Sequence, residues 1–308
     1  MLDYPVQYKN MPRLLCEDIY FFDLSGEIIS SRCARDEGIS NIYSIMTKKD
    51  AAFISDAVKG YELRPFIIAD TKLGPVFIVR SLFPGFRVLL AIKPNFERNV
   101  TLAIAKHAIP SGSLAAPSCE RIIESDLLSE IKLDDEHIVF GRRIYTCFSR
   151  VKIYAAQNIS VEEKAERIAQ KISAFSELFG CNIDFSFNNT FFNFEGGVRF
   201  SLEGLLLALV CFCFVARKYS ADRAMRLELC GSKEGIYCNA MIGLCSDLAD
   251  GRSVMESPEL QAFSRHAPIR NLAHTELIDN GNLLSRWYLR ENDPRSLELK
   301  VDPKFKFN

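Results

Sequence analysis

The sequence predicts an α+β fold divided into two domains, and three observations lead to this prediction. The chain has 308 residues, 48% of them hydrophobic, and chains longer than about 250 residues usually divide their core between domains. In the first hundred residues, short apolar segments are separated by turn signals, which favours an antiparallel sheet. From Ser160 onwards, apolar residues recur at helical spacing, which favours helices packed on a second sheet.

Composition excludes several classes of protein. A chain this rich in Phe, Leu, Ile and Val can bury enough apolar surface to offset its ordering entropy, so it is not disordered. Its 38 basic and 39 acidic side chains give a net charge of -1, so no nucleic-acid partner is expected. The apolar run Leu205 to Ala216 has 12 residues, whereas a membrane span needs about 20. We therefore expect no membrane association.

The ten cysteines show no Cys-x-x-Cys spacing, and zinc and redox sites usually need such clustering. The N-terminus lacks a basic segment followed by an apolar stretch, so no signal peptide is expected. The sequence thus predicts a cytoplasmic protein with reduced, buried thiols, no metal and no cofactor.

The first domain, predicted over residues 1–100, has the order strand, strand, helix and three strands. Ser25-Gly26 marks a turn and Pro84-Gly85 a second, tighter one. The predicted elements are a hairpin of Ile19 to Leu24 with Glu27 to Ser31, a helix over Lys48 to Lys59, and strands over Pro65 to Ala69, Val76 to Phe83 and Phe86 to Ile92.

This order, opened by the segment Phe21 to Ile29, resembles PAS-type sensor domains. The resemblance covers residues 14 to 95 and implies a possible small-molecule signal at this domain. No histidine precedes His107 to ligate haem, and Cys33 lies in Ser-Arg-Cys-Ala-Arg, which differs from the pattern of flavin-adduct domains. A purely structural α+β module remains the alternative.

Residues 101–157 are predicted as a linker or helical connector. Ser111-Gly112-Ser113 and Ala116-Pro117-Ser118 are typical of linkers, while Cys119 to Ile131 and Glu136 to Tyr154 fit a helix or a strand.

The second domain, predicted over residues 158–308, begins with an amphipathic helix. Ser160 and Glu163 have capping-box spacing, and Gly180 follows the last apolar residue, Phe179. The further predicted elements are a strand over Asn182 to Phe187, a helix over Ser201 to Tyr219, strands over Arg223 to Cys230 and Gly235 to Leu244, a helix over Pro258 to Leu272, and a hairpin of Glu276 to Ile278 with Leu284 to Arg290 around Asp279-Asn280-Gly281.

This succession resembles the ATPase domain of sensor histidine kinases, a two-layer α/β sandwich. The segment Ala216 to Ser220 matches the ending Ala-x-Lys-Tyr-Ser of that family's nucleotide-pocket helix. In the family, an Asn directly before this motif coordinates the magnesium ion bound to ATP, and another Asn often lies one turn earlier. Here Val215 and Cys211 occupy these positions, and neither offers the oxygen ligand that magnesium requires.

Other devices of the family are also missing. Asp247 lies in Ser-Asp-Leu-Ala-Asp-Gly, which lacks the Asp-x-Gly-x-Gly spacing for adenine, and Ser253 to Glu259 contains no glycine for a phosphate-binding lid. Neither His107 nor His137 has the context of a phosphoacceptor. The resemblance thus implies no catalytic residue and a vestigial pocket at Cys211, Val215, Lys218 and Asp247.

The leading hypothesis is a non-catalytic signalling or regulatory protein, a pseudo-histidine-kinase that acts through a protein partner or self-association. One alternative is an active ATP-binding kinase or ATPase with unconventional ligands, in which Asp247 serves adenine and Lys218 neutralises phosphate. A second alternative is a small-molecule receptor whose vestigial pocket is lined by Cys211 and Val215.

Overall fold

The protein has an α+β fold built on two sheets. The computed structural model describes residues 16–32, 38–59, 64–79, 88–148, 161–188, 202–220, 222–232, 235–243, 256–259, 261, 274–278 and 282–288. The strands are β1 (Cys16–Asp23), β2 (Ile28–Ser31), β3 (Phe66–Thr71), β4 (Gly74–Val79), β5 (Val88–Pro94), β6 (Leu114–Ala115), β7 (Asn182–Phe187), β8 (Ala224–Ser232), β9 (Gly235–Gly243), β10 (His274–Ile278) and β11 (Asn282–Tyr288). The helices are α1 (Lys48–Lys59), α2 (Arg98–Ala108), α3 (Glu120–Ile123), α4 (Asp135–Phe148), α5 (Val161–Phe179) and α6 (Leu202–Tyr219), with 3-10 helices over Ile42–Ile45, Ser111–Ser113 and Asp126–Glu130.

The first sheet has the strand order β2-β1-β5-β4-β3-β6, and only the pairing of β6 with β3 is parallel. Both faces of β1 are covered, so its residues are apolar almost without alternation. Phe21 points into one core, together with α2 and α4, and Phe22 points into the other, together with α1. Gly26 adopts φ +86° in the turn between β1 and β2, a conformation that L side chains rarely adopt.

The second sheet has the order β10-β11-β9-β8-β7, with β7 and β8 parallel and the other pairs antiparallel. In β8, Met225, Leu227 and Leu229 are buried at every second position, which is the period of a strand with one covered face. The helix α6 connects β7 to β8 along the chain and packs on the sheet, as does α5.

One hydrophobic core connects the first sheet, the helices α2, α4, α5 and α6, and the second sheet. A chain of aromatic rings marks its path. The ring of Phe21 in β1 lies 6.0 Å from that of Phe214 in α6, and Phe214 lies 5.5 Å from Phe179 in α5. Phe175 then follows at 5.6 Å and Phe148 of α4 at 5.2 Å. The first sheet therefore packs directly against helices of the second half of the chain.

The structure agrees with most of the predicted elements. The helix α1 and the strand β7 have the predicted bounds, α5 begins at Val161, directly after the predicted cap Ser160, and α6 begins one residue after the predicted start. The helix α2 was not predicted, and the segment 111–115, interpreted as part of a linker, forms a 3-10 helix and the sixth strand of the first sheet. The turns at Pro84-Gly85 and Asp279-Asn280-Gly281, and most of the predicted helix over Pro258 to Leu272, lie outside the described residues. The domain boundaries at residues 100 and 157 stay predictions.

Candidate functional site

The predicted pocket residues of α6 lie in the core of the protein. Cys211 and Val215 are one helical turn apart and have 0% exposed surface, and every side chain from Leu209 to Ala216 is buried. A helix that is apolar all round is one that is covered all round. Burial, followed by the nearby Glu259 carboxylate, raises the pKa of the Cys211 thiol, so this group stays a neutral thiol and is no ligand for a hard cation.

Lys218, one of the two charged residues of the predicted pocket, lies away from this buried stripe. Lys218 is exposed at the last turn of α6, and its ammonium group lies 5.1 Å from the centroid of the Tyr219 ring. Asp247 lies outside the described residues.

Two arginines hold the carboxyl end of α5, next to this stripe. Gly180 takes the left-handed conformation, with φ +63°, and the amide of Cys181 returns to the carbonyl of Ser176 at 3.1 Å, which is a Schellman motif. Arg217 Nη1 donates to the carbonyls of Phe179 at 3.1 Å and Gly180 at 3.4 Å. Arg32, from the first sheet, donates through Nη1 to the Leu178 carbonyl at 3.0 Å.

The Cys181 thiol lies at this junction and contacts Cys213 of α6. Its Sγ donates to the Cys213 carbonyl at 3.5 Å. A hydrogen bond with the Cys213 thiol, and the charges of nearby arginines, lower the pKa of Cys181. Burial raises the pKa of Cys213. Because both thiols are buried, they pack the junction and are not placed to meet a substrate in solution.

Glu259 is a buried acidic residue that acts on Cys211 and that sequence patterns missed. It is 2% exposed, its carboxylate acts on Cys211, and its Oε1 accepts a hydrogen bond of 2.7 Å from the Ser30 hydroxyl. Ser30 precedes Glu259 by 229 residues, so no local motif connects them. In the sequence, Glu259 is only one acidic residue within the predicted helix over Pro258 to Leu272.

His107 and His137, neither of which is predicted to be a phosphoacceptor, have different surroundings. His107 is exposed near the end of α2. His137 is in the first turn of α4, where its Nδ1 lies 2.7 Å from Asp134 Oδ1 and its amide donates to the same oxygen at 3.0 Å. Its ring packs edge-on to Phe96, with centroids 4.6 Å apart. Asp134 therefore caps the start of α4, and the His137 ring packs against Phe96.

A second polar cluster joins α1, β3 and the segment after β6. The Asp50 carboxylate is fully buried and accepts hydrogen bonds from the Thr47 hydroxyl at 2.9 Å, the Asp70 amide at 2.9 Å and the Ser118 amide at 3.1 Å. Burial, with the charge of Asp70 next in effect, raises the pKa of the neighbouring Cys119 to about 12. The cluster offers a saturated carboxylate and a neutral thiol, so it suits a structural role and not nucleophilic chemistry.

Among the described residues, no group of three His, Cys, Asp or Glu side chains is arranged to hold a metal ion. No helix in the described part of the chain combines the length and the hydropathy needed to cross a membrane.

No protein-family model matches the chain, and no curated protein matches it. One similar solved structure is full-length ShkA in complex with AMPPNP, with 13% sequence identity and a TM-score of 0.28. The match covers 61% of this chain and 42% of the ShkA chain, so the protein spans less than half the length of that relative. At this TM-score, ShkA is only a distant structural neighbour, and the chemistry of the present site has to be argued from its own residues.

Proposed function

We propose that the protein is a non-catalytic signalling or regulatory protein that acts through a protein partner or through self-association. In this proposal, a PAS-like sensor domain is joined to a degenerate ATPase domain of the histidine-kinase type. The burial of Cys211 and Val215 carries the proposal. These two positions correspond to the magnesium-binding side of the family's pocket helix, and here they pack in the hydrophobic core without an oxygen ligand.

The order of the elements supports the two-domain part of the proposal. Over residues 16–94, the strands β1 and β2, the helix α1 and the strands β3, β4 and β5 follow one another. In the second half, a helix and a strand precede the helix α6, two antiparallel strands and a hairpin. Both successions are those that underlie the resemblances to PAS-type domains and to histidine-kinase ATPase domains.

The same burial disfavours a small-molecule receptor, because such a receptor would need open space beside Cys211 and Val215. Lys218 favours the remaining alternative, an ATP-binding protein with unconventional ligands. Its ammonium group is exposed at the end of α6, where it could neutralise a phosphate as a point charge.

Incubation with ATP labelled in the γ-phosphate, in the presence of magnesium, tests the proposal. We expect neither labelled protein nor released phosphate above the background of a buffer sample. Lys218→Gln removes the exposed cation at the end of α6, and Arg226→Gln removes a cation that is also exposed, on β8. Turnover that is lost in Lys218→Gln and kept in Arg226→Gln would establish the ATP-dependent alternative.

A further inference from the structure

The end of the β1–β2 hairpin reaches from the first sheet into the second half of the chain. Ser30 lies in β2, and Arg32 directly follows the end of this strand. The Ser30 hydroxyl donates to Glu259 Oε1 at 2.7 Å, and Arg32 Nη1 donates to the Leu178 carbonyl at 3.0 Å. The end of β2 and the residue after it therefore contact both the last turn of α5 and the segment that carries Glu259.

Arg32 is fixed from both sides. Its Nη2 donates to the carbonyl of Glu17 at 2.7 Å and to that of Cys16, both in β1, while Nη1 reaches α5. The guanidinium is planar and carries several donors in a rigid fork, so the positions of β1 and of the α5 terminus are linked through one group. The residue is 7% exposed, and water therefore has little access to this link.

The charges in this contact are only partly compensated. Among the described residues, no carboxylate forms an ion pair with Arg32, and its Nε has no hydrogen-bond partner. The partial negative charge at the carboxyl end of α5 offsets part of this positive charge. Glu259 is buried as well, and its Oε2 has no partner among the described residues. Because buried charges lose hydration, opening the contact would return hydration to both groups.

We propose that Ser30 and Arg32 form a conformational latch through which the state of the first sheet controls the end of α5 and the surroundings of α6. In the closed latch, the hydrogen bonds and the helix dipole oppose the lost hydration, and the latch requires an open state that the hairpin can reach. A movement of the β1–β2 hairpin would leave the Leu178 carbonyl without its donor and would release Glu259, whose charge acts on Cys211. The regulatory use of the latch rests on the proposed signalling role. The coupling between Arg32 and the end of α5 does not depend on that role.

Hydrogen exchange of the full chain, without nucleotide or partner, tests the latch. Arg32→Met keeps the length of the side chain and removes its donors. The matched control is Arg64→Met, because Arg64 Nη1 also donates to a backbone carbonyl, that of Leu114, at 3.0 Å, within the first sheet. We expect amides 176–181 to exchange about tenfold faster or more in Arg32→Met and to be unchanged in Arg64→Met. Unchanged exchange at these amides in Arg32→Met, or equal acceleration in both variants, would overturn the latch.

Arg32→Lys serves if Arg32→Met does not fold. Lysine keeps the charge but lacks the planar fork that reaches three carbonyls, so a smaller acceleration confined to residues 176–181 is expected. Acceleration that is uniform over the whole chain would mean that Arg32 only stabilises the protein, and the latch would be rejected. Detection of ATP turnover would refute the non-catalytic role and leave this result unaffected, so the two proposals fail separately.

Discussion

Asp50 shows how one buried side chain can fix three segments. Its carboxylate has no exposed surface, yet it accepts hydrogen bonds from the start of α1, from β3 and from the segment after β6. The spacing Thr47 to Asp50 resembles a capping box, which the sequence could have indicated. The bond to the Ser118 amide spans 68 residues and has no local signal, so only the structure identifies Ser118 as a partner.

At this position we predict that Asp50→Asn lowers the free energy of unfolding by about 2–3 kcal/mol, because the new amide group points a donor at a buried donor. Asp56→Asn is the matched control, since Asp56 is exposed on the same helix, and should change stability by less than about 0.5 kcal/mol. Denaturant titration of both variants measures the difference. Equal effects of the two substitutions would show that the three hydrogen bonds contribute little to the free energy of unfolding.

Lys171 is a second buried polar residue, and it connects α5 to α4. It is 2% exposed, and its Nζ donates to the carbonyls of Thr146 at 2.7 Å and Cys147 at 3.2 Å. Burial lowers the pKa of Lys171 from 10.5 to about 8. The titratable group that acts on it is Cys147 of α4, and burial raises the pKa of the Cys147 thiol to about 12.

The lowered pKa of Lys171 predicts a rise of stability with pH. Between its folded value of about 8 and its unfolded value of 10.5, the unfolded chain binds the proton more strongly, so the free energy of unfolding increases with pH. From about pH 7 to about pH 9, the difference in unfolding free energy between the natural protein and Lys171→Met should grow by about 1 kcal/mol in favour of the natural protein. Using this difference removes the opposite contribution of the cysteines.

Urea denaturation of both proteins at the two pH values provides the measurement. A difference that stays constant or shrinks as pH rises would contradict a lysine that loses its proton in the folded state.

At the scale of the elements, Gly141 sets how closely α4 approaches α2. A Cβ atom added there would collide with Ala108 Cβ and would lie 2.8 Å from Ile104 Cγ2. Nothing in the sequence predicted this contact, because α2 itself was not predicted and Gly141 was read only as part of a segment of uncertain structure. Glycine therefore allows the two helices to pack closely at this position, although it is less favourable than alanine within a helix.

We predict that Gly141→Ala lowers the free energy of unfolding by about 1–2 kcal/mol, since the overpacking exceeds the gain in helix propensity. In Gly112→Ala the added Cβ meets nothing within 4 Å, so this control should be close to neutral. Thermal unfolding of both variants separates the two cases. If Gly141→Ala is as stable as Gly112→Ala, the helices can move apart without cost.

The boundaries of the second-half elements were more predictable than those around α2. Phe179 ends an apolar stripe and Gly180 follows it, and the positive φ of Gly180 is what the stop signal requires. In β7, Ile183, Phe185 and Phe187 alternate with polar residues, and all three pack against the core. Such local patterns predict an element well because its own sequence encodes the face it buries.

In the whole molecule, local patterns predicted many of the helices and strands but not how these elements pack against one another. The stacking of Phe21 on Phe214 and the contact of Arg32 with Leu178 join segments more than 140 residues apart in the chain. Apolar residues on both faces of β1 indicate only that each face is covered, not which helix covers it. The sequence therefore predicted an apolar stripe at Cys211 and Val215, but not the Glu259 and Ser30 contact beside it.

Equilibrium titration with a fluorescent ATP analogue tests whether this buried stripe can hold a magnesium nucleotide. The titration is run with and without magnesium on the natural protein. Because Cys211 and Val215 are buried and offer no oxygen ligand, we expect no saturable, magnesium-dependent binding up to about 1 mM analogue. Micromolar binding that requires magnesium would contradict the account, because it would mean that α6 provides a functional metal–phosphate site despite the burial of Cys211 and Val215.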